Sequence, residues 1–427
     1  MSEQTEKLVR AVGFWGLVAM CINAVVGSGV FLLPTESYKL LGPFSLWAPL
    51  IFAIPVFILV LCFAEAASHF SEPGGAYLYA RTAFGDFVGF ETGWMNWIAR
   101  LTSLASLSNG FVVSLARLYP PLGEGTARAA IIIGSIAILA AIHFVGVKYG
   151  AASIYVFTFG KLIPLILFIV VSLIAFKHNP IPASLHIPGA GTHWNEAALF
   201  MLFAYAGFEN LGVPAGEYRN PRRDLPGALL TGTLAIAAIY VLTQLGAMAT
   251  IPDLSRTATP IADAAAELIP LGALIVTLGA LLSMAGTNSG TVLEGSRMLF
   301  ALSLDRNLGP LSYVHPKYRT PSVAIIVHVV VATGLALGGT FAKLAMLSAV
   351  ARLTTYLFTC AGIPFIQRKM TNALKPVTLI LAILGTIISL ALFFTLNTFN
   401  FIAAAIALGA GVLVYLVSAR RLLTPTA

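Results

Sequence analysis

The chain is built from apolar stretches of about twenty residues or more, separated by short loops that hold most of its charge. That pattern narrows the fold more than any other feature. A helix rises about 1.5 Å per residue, so about twenty residues cross the hydrocarbon core of a bilayer. No water is available there for peptide groups, and only helices or closed barrels satisfy them internally. The stretches are too long for barrel strands and show no apolar–polar alternation, which leaves helices. Hydrophobic residues make up 58% of the 427 and charged ones 10%, against about 25% charged in soluble domains. The expectation is an all-α integral membrane protein with the lipid bilayer as its solvent.

Twelve transmembrane helices are expected, approximately over 12–38, 43–68, 86–117, 128–145, 150–176, 194–217, 226–251, 268–303, 321–339, 342–367, 375–396 and 399–419. Met1 to Arg10 is polar and leads into a segment too long for a signal-peptide core, so no cleaved leader is expected. An even number of spans places both termini on one side. Of the 25 lysines and arginines, Arg100, Lys161, Arg297 and Arg352 fall within spans. Lys39, Arg117, Arg128, Lys177, Arg256 and Lys343 fall on one side, which leaves fifteen on the side of the termini. The positive-inside rule therefore puts both termini in the cytoplasm.

The same distribution excludes nucleic acid as the reason for the net charge of +8, because the basic residues sit in short loops rather than on a basic face. Cys21, Cys62 and Cys360 lie inside apolar stretches at wide spacing, which fits packing and neither a disulfide framework nor a metal cluster.

Two spans carry features that disfavour an unbroken helix. In the first, Gly27 and Gly29 bracket Ser28, and each glycine costs about 1 kcal/mol against alanine in a helix interior. A break there exposes peptide groups at membrane depth, which are tolerated where they line a polar cavity and so point to a ligand. Close packing of a neighbouring helix on small residues is the alternative. The sixth span has a matching feature at Ala204-Tyr205-Ala206-Gly207-Phe208-Glu209. Breaks in the first and sixth helices divide the chain into five helices over 12–176 and five over 194–367, with two more over 375–419 and cytoplasmic tails at 1–11 and 420–427. An odd number of helices per half makes the halves inverted in the membrane.

Ionisable residues inside a span are functional candidates by default. Lys161 lies about ten residues into the fifth span, roughly 15 Å along it and near the bilayer midplane. Its ammonium needs acceptors, and free carbonyls at a broken helix would supply them. Glu209 sits just past Gly207, where it is either a proton carrier or a structural acceptor for freed amides. Phe203, Tyr205 and Phe208 flank the same break. Arg100, Asn109, His143, Asn288, Glu294, Arg297, His328 and Arg352 also lie in or near spans, and a structural role is the stronger reading for most of them; Glu294 and Arg297, three apart on one helical face, are read as a pair. No catalytic constellation is present: Gly74-Gly75 lacks a phosphate-loop lysine, Ser28 lacks a histidine partner, and the His and Cys residues have no metal spacing. Neither an enzyme activity, a cofactor nor a bound metal is expected.

Several motifs together resemble the amino acid, polyamine and organocation (APC) superfamily of permeases. They are Gly27-Ser28-Gly29-Val30-Phe31; Glu65 with Pro73-Gly74-Gly75-Ala76-Tyr77; Phe203 to Glu209 followed by Glu217-Tyr218-Arg219-Asn220-Pro221-Arg222-Arg223; and Ser296-Arg297 with Asp305-Arg306-Asn307-Leu308-Gly309-Pro310 and His315-Pro316-Lys317-Tyr318-Arg319-Thr320-Pro321. The resemblance implies a LeuT-like five-plus-five inverted repeat with an amino acid held at the two breaks. It implies that the substrate carboxylate meets the amides of Gly27, Ser28 and Gly29, at the positive end of a half-helix. The ammonium would meet carbonyls around Ala24 and Val25, and around Phe203, Ala204 and Ala206 beside Gly207. Phe203 matches the occluding aromatic of the family. Lys161 resembles the fifth-helix lysine of sodium-independent members, and Glu209 an acidic position of some proton-sensitive ones.

The reading is a sodium-independent L-amino acid permease of a bacterial inner membrane that works by alternating access, with proton symport or exchange both open. No obligate partner is inferred. Neutral amino acids are favoured because the pocket shows no obvious acid; a cationic amino acid or polyamine carrier is the alternative. A non-transporting sensor or channel is the rival class, disfavoured because no output domain is evident and the polar breaks pair within one chain.

Overall fold

A computed structural model describes residues 12–70, 74–146, 150–175, 189, 193–212, 218–306 and 308–423. Pro73, Glu217, Asn307, the loop lysines Lys148 and Lys177, and the expected tail at 1–11 lie outside the described residues. Fifteen α-helices make up the described chain, linked by loops and short 3-10 turns, with one isolated bridge between Val12 and Tyr218. They are α1 (Phe14–Val25), α2 (Gly29–Leu41), α3 (Ala48–Ser68), α4 (Gly75–Phe84), α5 (Asp86–Ala116), α6 (Gly125–Val145), α7 (Gly150–Ala175) and α8 (Trp194–Tyr205). Then follow α9 (Pro221–Thr250), α10 (Pro260–Leu268), α11 (Gly272–Arg306), α12 (Ser322–Gly338), α13 (Phe341–Thr371), α14 (Pro376–Phe394) and α15 (Thr398–Leu423).

Among the described residues nine helices are long and apolar enough to cross a bilayer, and α1 with the segment from Gly29 forms one further span bent by 46°. The protein is a multi-pass membrane protein. A helix occupies every expected span, although α12 has only 17 residues and α8 only 12. The expected boundaries, given as approximate, shift at several points. Residues 75–84 form the helix α4 where a loop was expected, because a ten-residue segment is too short to register as a span. The eighth span begins at Gly272, not 268, since Pro270 ends the short helix α10 and bars its continuation. The seventh begins at Pro221, because a proline at the first helical position loses no hydrogen bond. The last helix runs on to Leu423 and takes in part of the expected tail.

Burial sorts the helices by solvent. In α5 and α13, 78% and 72% of the apolar stretch is buried, against 17% in α6 and in α15. The first pair forms the centre of the bundle and packs together, with α11 also against α5. Exposed Ile133, Ile138 and Ile142 on α6, and Ile406, Leu413 and Leu416 on α15, face outward as lipid-facing surface should. α1 and α3 both pack against α9, and α2 packs against α8, which brings the two broken elements side by side.

Helix ends within the bundle are capped by side chains. Arg128 donates to the carbonyls of Ala336 (3.2 Å) and Gly339 (3.0 Å) at the end of α12, and to Asn109 Oδ1 (2.6 Å). Such terminal carbonyls have no acceptor role left within their own helix and need outside donors when buried. Arg117 Nε donates to Asp263 Oδ1 at 2.6 Å and ties the end of α5 to α10.

Candidate functional site

The first break spans Val26 to Ser28, between α1 and α2. Its freed carbonyls are taken up one by one. Lys161 Nζ donates to Asn23 O at 3.0 Å and to Val26 O at 2.6 Å, with Thr287 Oγ1 at 3.4 Å. Ser283 Oγ donates to Val26 O (3.0 Å) and Gly27 O (3.1 Å). Tyr240 Oη reaches Val25 O at 3.4 Å and Ala204 O at 2.7 Å, joining the two breaks. Lys161 is fully buried, so its charge is compensated by these carbonyls rather than by water.

The second break follows α8. Ala206 is extended and Gly207 has φ 131°, before a 3-10 turn over Phe208–Asn210. A side chain at 207 would put its Cβ 2.5 Å from Ala24 O, so only glycine allows this approach of the second break to the first. Gly29 meets the other wall: a Cβ there would lie 3.1 Å from Ala204 Cα.

Between the breaks lies a cavity of about 30 Å³ lined by Ala24, Val25, Gly27, Ser28, Gly29, Phe203, Ala206 and Gly207, together with Arg100, Ser103, Leu107, Thr287, Thr291 and Arg352. The amides at the start of α2 have no acceptor inside their own helix, and the helix dipole makes this end positive. An anionic group is favoured there. Ala204 is the one expected binding residue outside the cavity wall. Its side chain packs toward Gly29 and its carbonyl is engaged by Tyr240, so close packing of the breaks turns it away.

A buried ion cluster supports one side of the cavity. Glu209 Oε2 accepts from the Gly207 amide at 2.8 Å, and Oε1 accepts from Arg100 Nη2 at 2.5 Å and Arg352 Nε at 2.8 Å. Tyr356 Oη donates to Oε2 at 3.2 Å. Arg100 also pairs through Nη1 with Glu294 at 3.1 Å, so Glu294 reaches across to α5. Arg352 is held further by Ser348 and by Ser103 Oγ at 2.9 Å. The cluster thus links α5, α11, α13 and the second break.

On the opposite side Phe203 meets Phe341 edge to face, with centroids 6.2 Å apart. Phe341 also lines a larger cavity of about 740 Å³ with Asn109, Arg117, Arg128, Arg256, Asp263 and Thr340. This vestibule opens at the end of the bundle where α5 ends and α13 begins. Two aromatic rings therefore stand between the vestibule and the small cavity.

The sequence model for amino acid permeases matches residues 12–423, nearly the whole chain. The chain belongs to the amino acid permease family. The permease is 29% identical over 388 residues to the serine/threonine exchanger SteT of Bacillus subtilis, covering 88% of this chain and 87% of that protein. It is 29% identical over 334 residues to an arginine/ornithine antiporter of Pseudomonas aeruginosa, covering 72% of this chain and 66% of that protein. An uncharacterized transporter of Mycobacterium tuberculosis is 26% identical over 98% of the permease. The family places the permease in amino acid transport, and its members are transporters rather than enzymes. Among the described residues no three His, Cys, Asp or Glu side chains converge as a metal site would require.

Arg100 and Arg352 of the permease belong to a set of span residues for most of which sequence reasoning favours a structural role, and both line the cavity. Their presence inside apolar spans was the available signal, since arginine at such depth needs a partner or a ligand. Tyr240 and Ser283 carry no comparable signal, because a tyrosine or serine in a membrane helix is ordinary.

Proposed function

We propose that the permease carries L-amino acids across the plasma membrane without sodium, by alternating access, with neutral substrates favoured. The observation that carries this is the juxtaposition of the two breaks around one cavity while Lys161 occupies the carbonyls at the end of α1. In this reading the amides of Gly27, Ser28 and Gly29 receive the substrate carboxylate. The remaining backbone carbonyls near Ala24 and Ala206 receive its ammonium. Lys161 takes the position of a coupling cation, so no dissolved sodium is needed. The LeuT-like inverted repeat, with both termini cytoplasmic, is the architecture that this mechanism requires.

Arg100 and Arg352 on the cavity wall are already balanced by Glu209 and Glu294, so the added charge of a cationic amino acid or polyamine would stay uncompensated in a buried site, which disfavours those substrates. Phe203 with Phe341 acts as the gate toward the vestibule, and the cluster around Glu209 closes the other side. Glu209 is read as the anchor of the second break rather than as a proton carrier, because amide, guanidinium and phenol donors converge on it. Exchange is preferred to proton symport, since two of the similar proteins are named as an exchanger and an antiporter.

Uptake of a labelled amino acid panel into proteoliposomes tests the proposal. Uptake should rise when the vesicles are preloaded with amino acid and stay unchanged when sodium is replaced by potassium. A strict sodium requirement would overturn the assigned role of Lys161, and absence of transport across the panel would overturn the permease reading.

A further inference from the structure

One acidic side chain beside the cavity is only half used. Glu294 on α11 accepts from Arg100 Nη1 through Oε2 at 3.1 Å. Among the described residues Arg100 is its only hydrogen-bonding partner, which leaves Oε1 without a donor. That oxygen lies 4.0 Å from where a Cβ on Gly290, one turn earlier, would stand. The Glu294 side chain is 30% exposed, against 0% for Glu209 and 6% for Arg100. A carboxylate offers lone pairs on both oxygens, so Glu294 keeps acceptor capacity on a face that is not sealed.

Helix geometry fixes where this carboxylate stands. Thr287 and Thr291 of α11 line the cavity. Glu294 follows them by seven and three residues, so the three share one face, opposed to the face that carries the exposed Leu274, Leu278 and Leu282. Its open side is therefore turned toward the protein interior and not toward lipid. The vestibule lies elsewhere: Asn109, on its wall, is nine residues beyond Arg100 on α5, about 14 Å at 1.5 Å per residue. The Arg100–Glu294 pair thus stands on the side of the cavity away from Phe203 and Phe341.

We infer that Arg100 and Glu294 form a second, transient station for the amino acid on the side opposite the vestibule, with Arg100 Nη2 receiving the α-carboxylate and Glu294 Oε1 the α-ammonium. This rests on the permease reading above and adds a site to it. In the present arrangement Nη2 is held by Glu209 at 2.5 Å. Glu209 belongs to the 3-10 turn directly after Gly207, whereas Arg100 and Glu294 belong to α5 and α11, which pack on each other. A swing of the second break carries Glu209 away, frees one edge of the guanidinium and leaves the Nη1–Glu294 contact in place. The pair then presents a donor edge and an acceptor oxygen side by side. A zwitterion matches both and adds no net charge to a buried site.

The test uses the full chain reconstituted in one orientation, with the labelled L-amino acid carried fastest in the uptake panel as the probe. KM is measured for influx from the vestibule side and for efflux from the opposite side. Glu294→Gln keeps the shape and removes the acceptor charge. It should raise KM on the side opposite the vestibule by about tenfold or more and leave the vestibule-side KM within about threefold. Glu294→Asp keeps the charge on a shorter arm; it should shift the same side by less, and it decides the matter if the glutamine variant fails to fold. An equal change on both sides would make Glu294 a structural partner of Arg100, and no change on either would take it off the path. Both results would overturn the second station while leaving the permease reading intact. No uptake of any amino acid by the unaltered protein would instead overturn the permease reading itself.

Discussion

Replacing Lys161 by methionine removes a charge while keeping most of the side-chain volume, and its effect can be worked from the contacts it loses. The ammonium serves Asn23 O at 3.0 Å and Val26 O at 2.6 Å in a fully buried setting. Hydrogen bonds to charged groups contribute about 1.5–3 kcal/mol each, so two of them amount to about 3–6 kcal/mol. Ser283 still reaches Val26 O, which offsets part of that loss. If the loss falls on the population of the binding-competent break, transport should drop by about a hundredfold or more, at 1.4 kcal/mol per decade. The same energy is a large share of a typical folding stability of about 5–15 kcal/mol, so the assay needs two arms. Gel filtration in detergent reports whether Lys161→Met remains folded, and proteoliposome uptake at matched protein density reports transport. Lys161→Ala, which adds a cavity to the lost charge, should be worse in both. A folded Lys161→Met protein with uptake within threefold of the parent would refute the assigned role.

Three further outcomes follow from the site. Gly207→Ala forces a Cβ to 2.5 Å from Ala24 O at φ 131°, a combination of overlap and backbone strain of about 2–6 kcal/mol; it should lower the melting temperature and abolish uptake, whereas Gly134→Ala, which meets open space, should do neither. Glu209→Gln presents an amide to two guanidiniums and breaks a buried ion cluster, a loss of about 3–5 kcal/mol, so uptake should fall at every pH; a flattened pH profile at preserved rate would make Glu209 a proton carrier instead. Phe203→Ala removes one ring of the pair facing the vestibule and should raise KM while costing stability by about 3–5 kcal/mol, as truncating a buried aromatic does; an unchanged KM would remove Phe203 from the gate.

The parts of this fold that were legible in the sequence are those imposed by the bilayer. Span positions follow from length and apolarity because hydrocarbon permits few alternatives, and the glycine breaks stand out against that background. Lys161 was legible because a lone ammonium at midplane has no bland explanation. What escaped were short amphipathic helices and pairings across spans. α4 and α10 are below spanning length, so they leave no hydropathy signal. Glu294 pairs with Arg100, 194 positions away, and a partner at that separation is set by how α5 and α11 pack rather than by any local spacing. The closeness of Val25 and Ala204 carbonyls, bridged by Tyr240, belongs to the same class.

The two buried charge systems act on the same pair of breaks from different directions. Lys161 binds the carbonyl end of α1, which a broken helix leaves partly negative, while Glu209 binds the Gly207 amide and two arginines of the neighbouring helices. Each break is thereby held by a fixed charge of the sign its backbone dipole requires. A transporter that borrowed a dissolved ion for this purpose would have a cavity whose shape depends on ion concentration. Here both charges are covalently attached and buried, and such pairs are screened far less by salt than exposed ones. On the proposed reading the cavity's geometry depends on the positions of α5, α7 and α13 relative to the breaks, and rocking of these helices, rather than ion release, is what would loosen the cluster at Glu209. On the proposed reading this is how a substrate bound at the amides of α2 would reach the far side: the arginines that complete the pocket are the same groups whose withdrawal opens it.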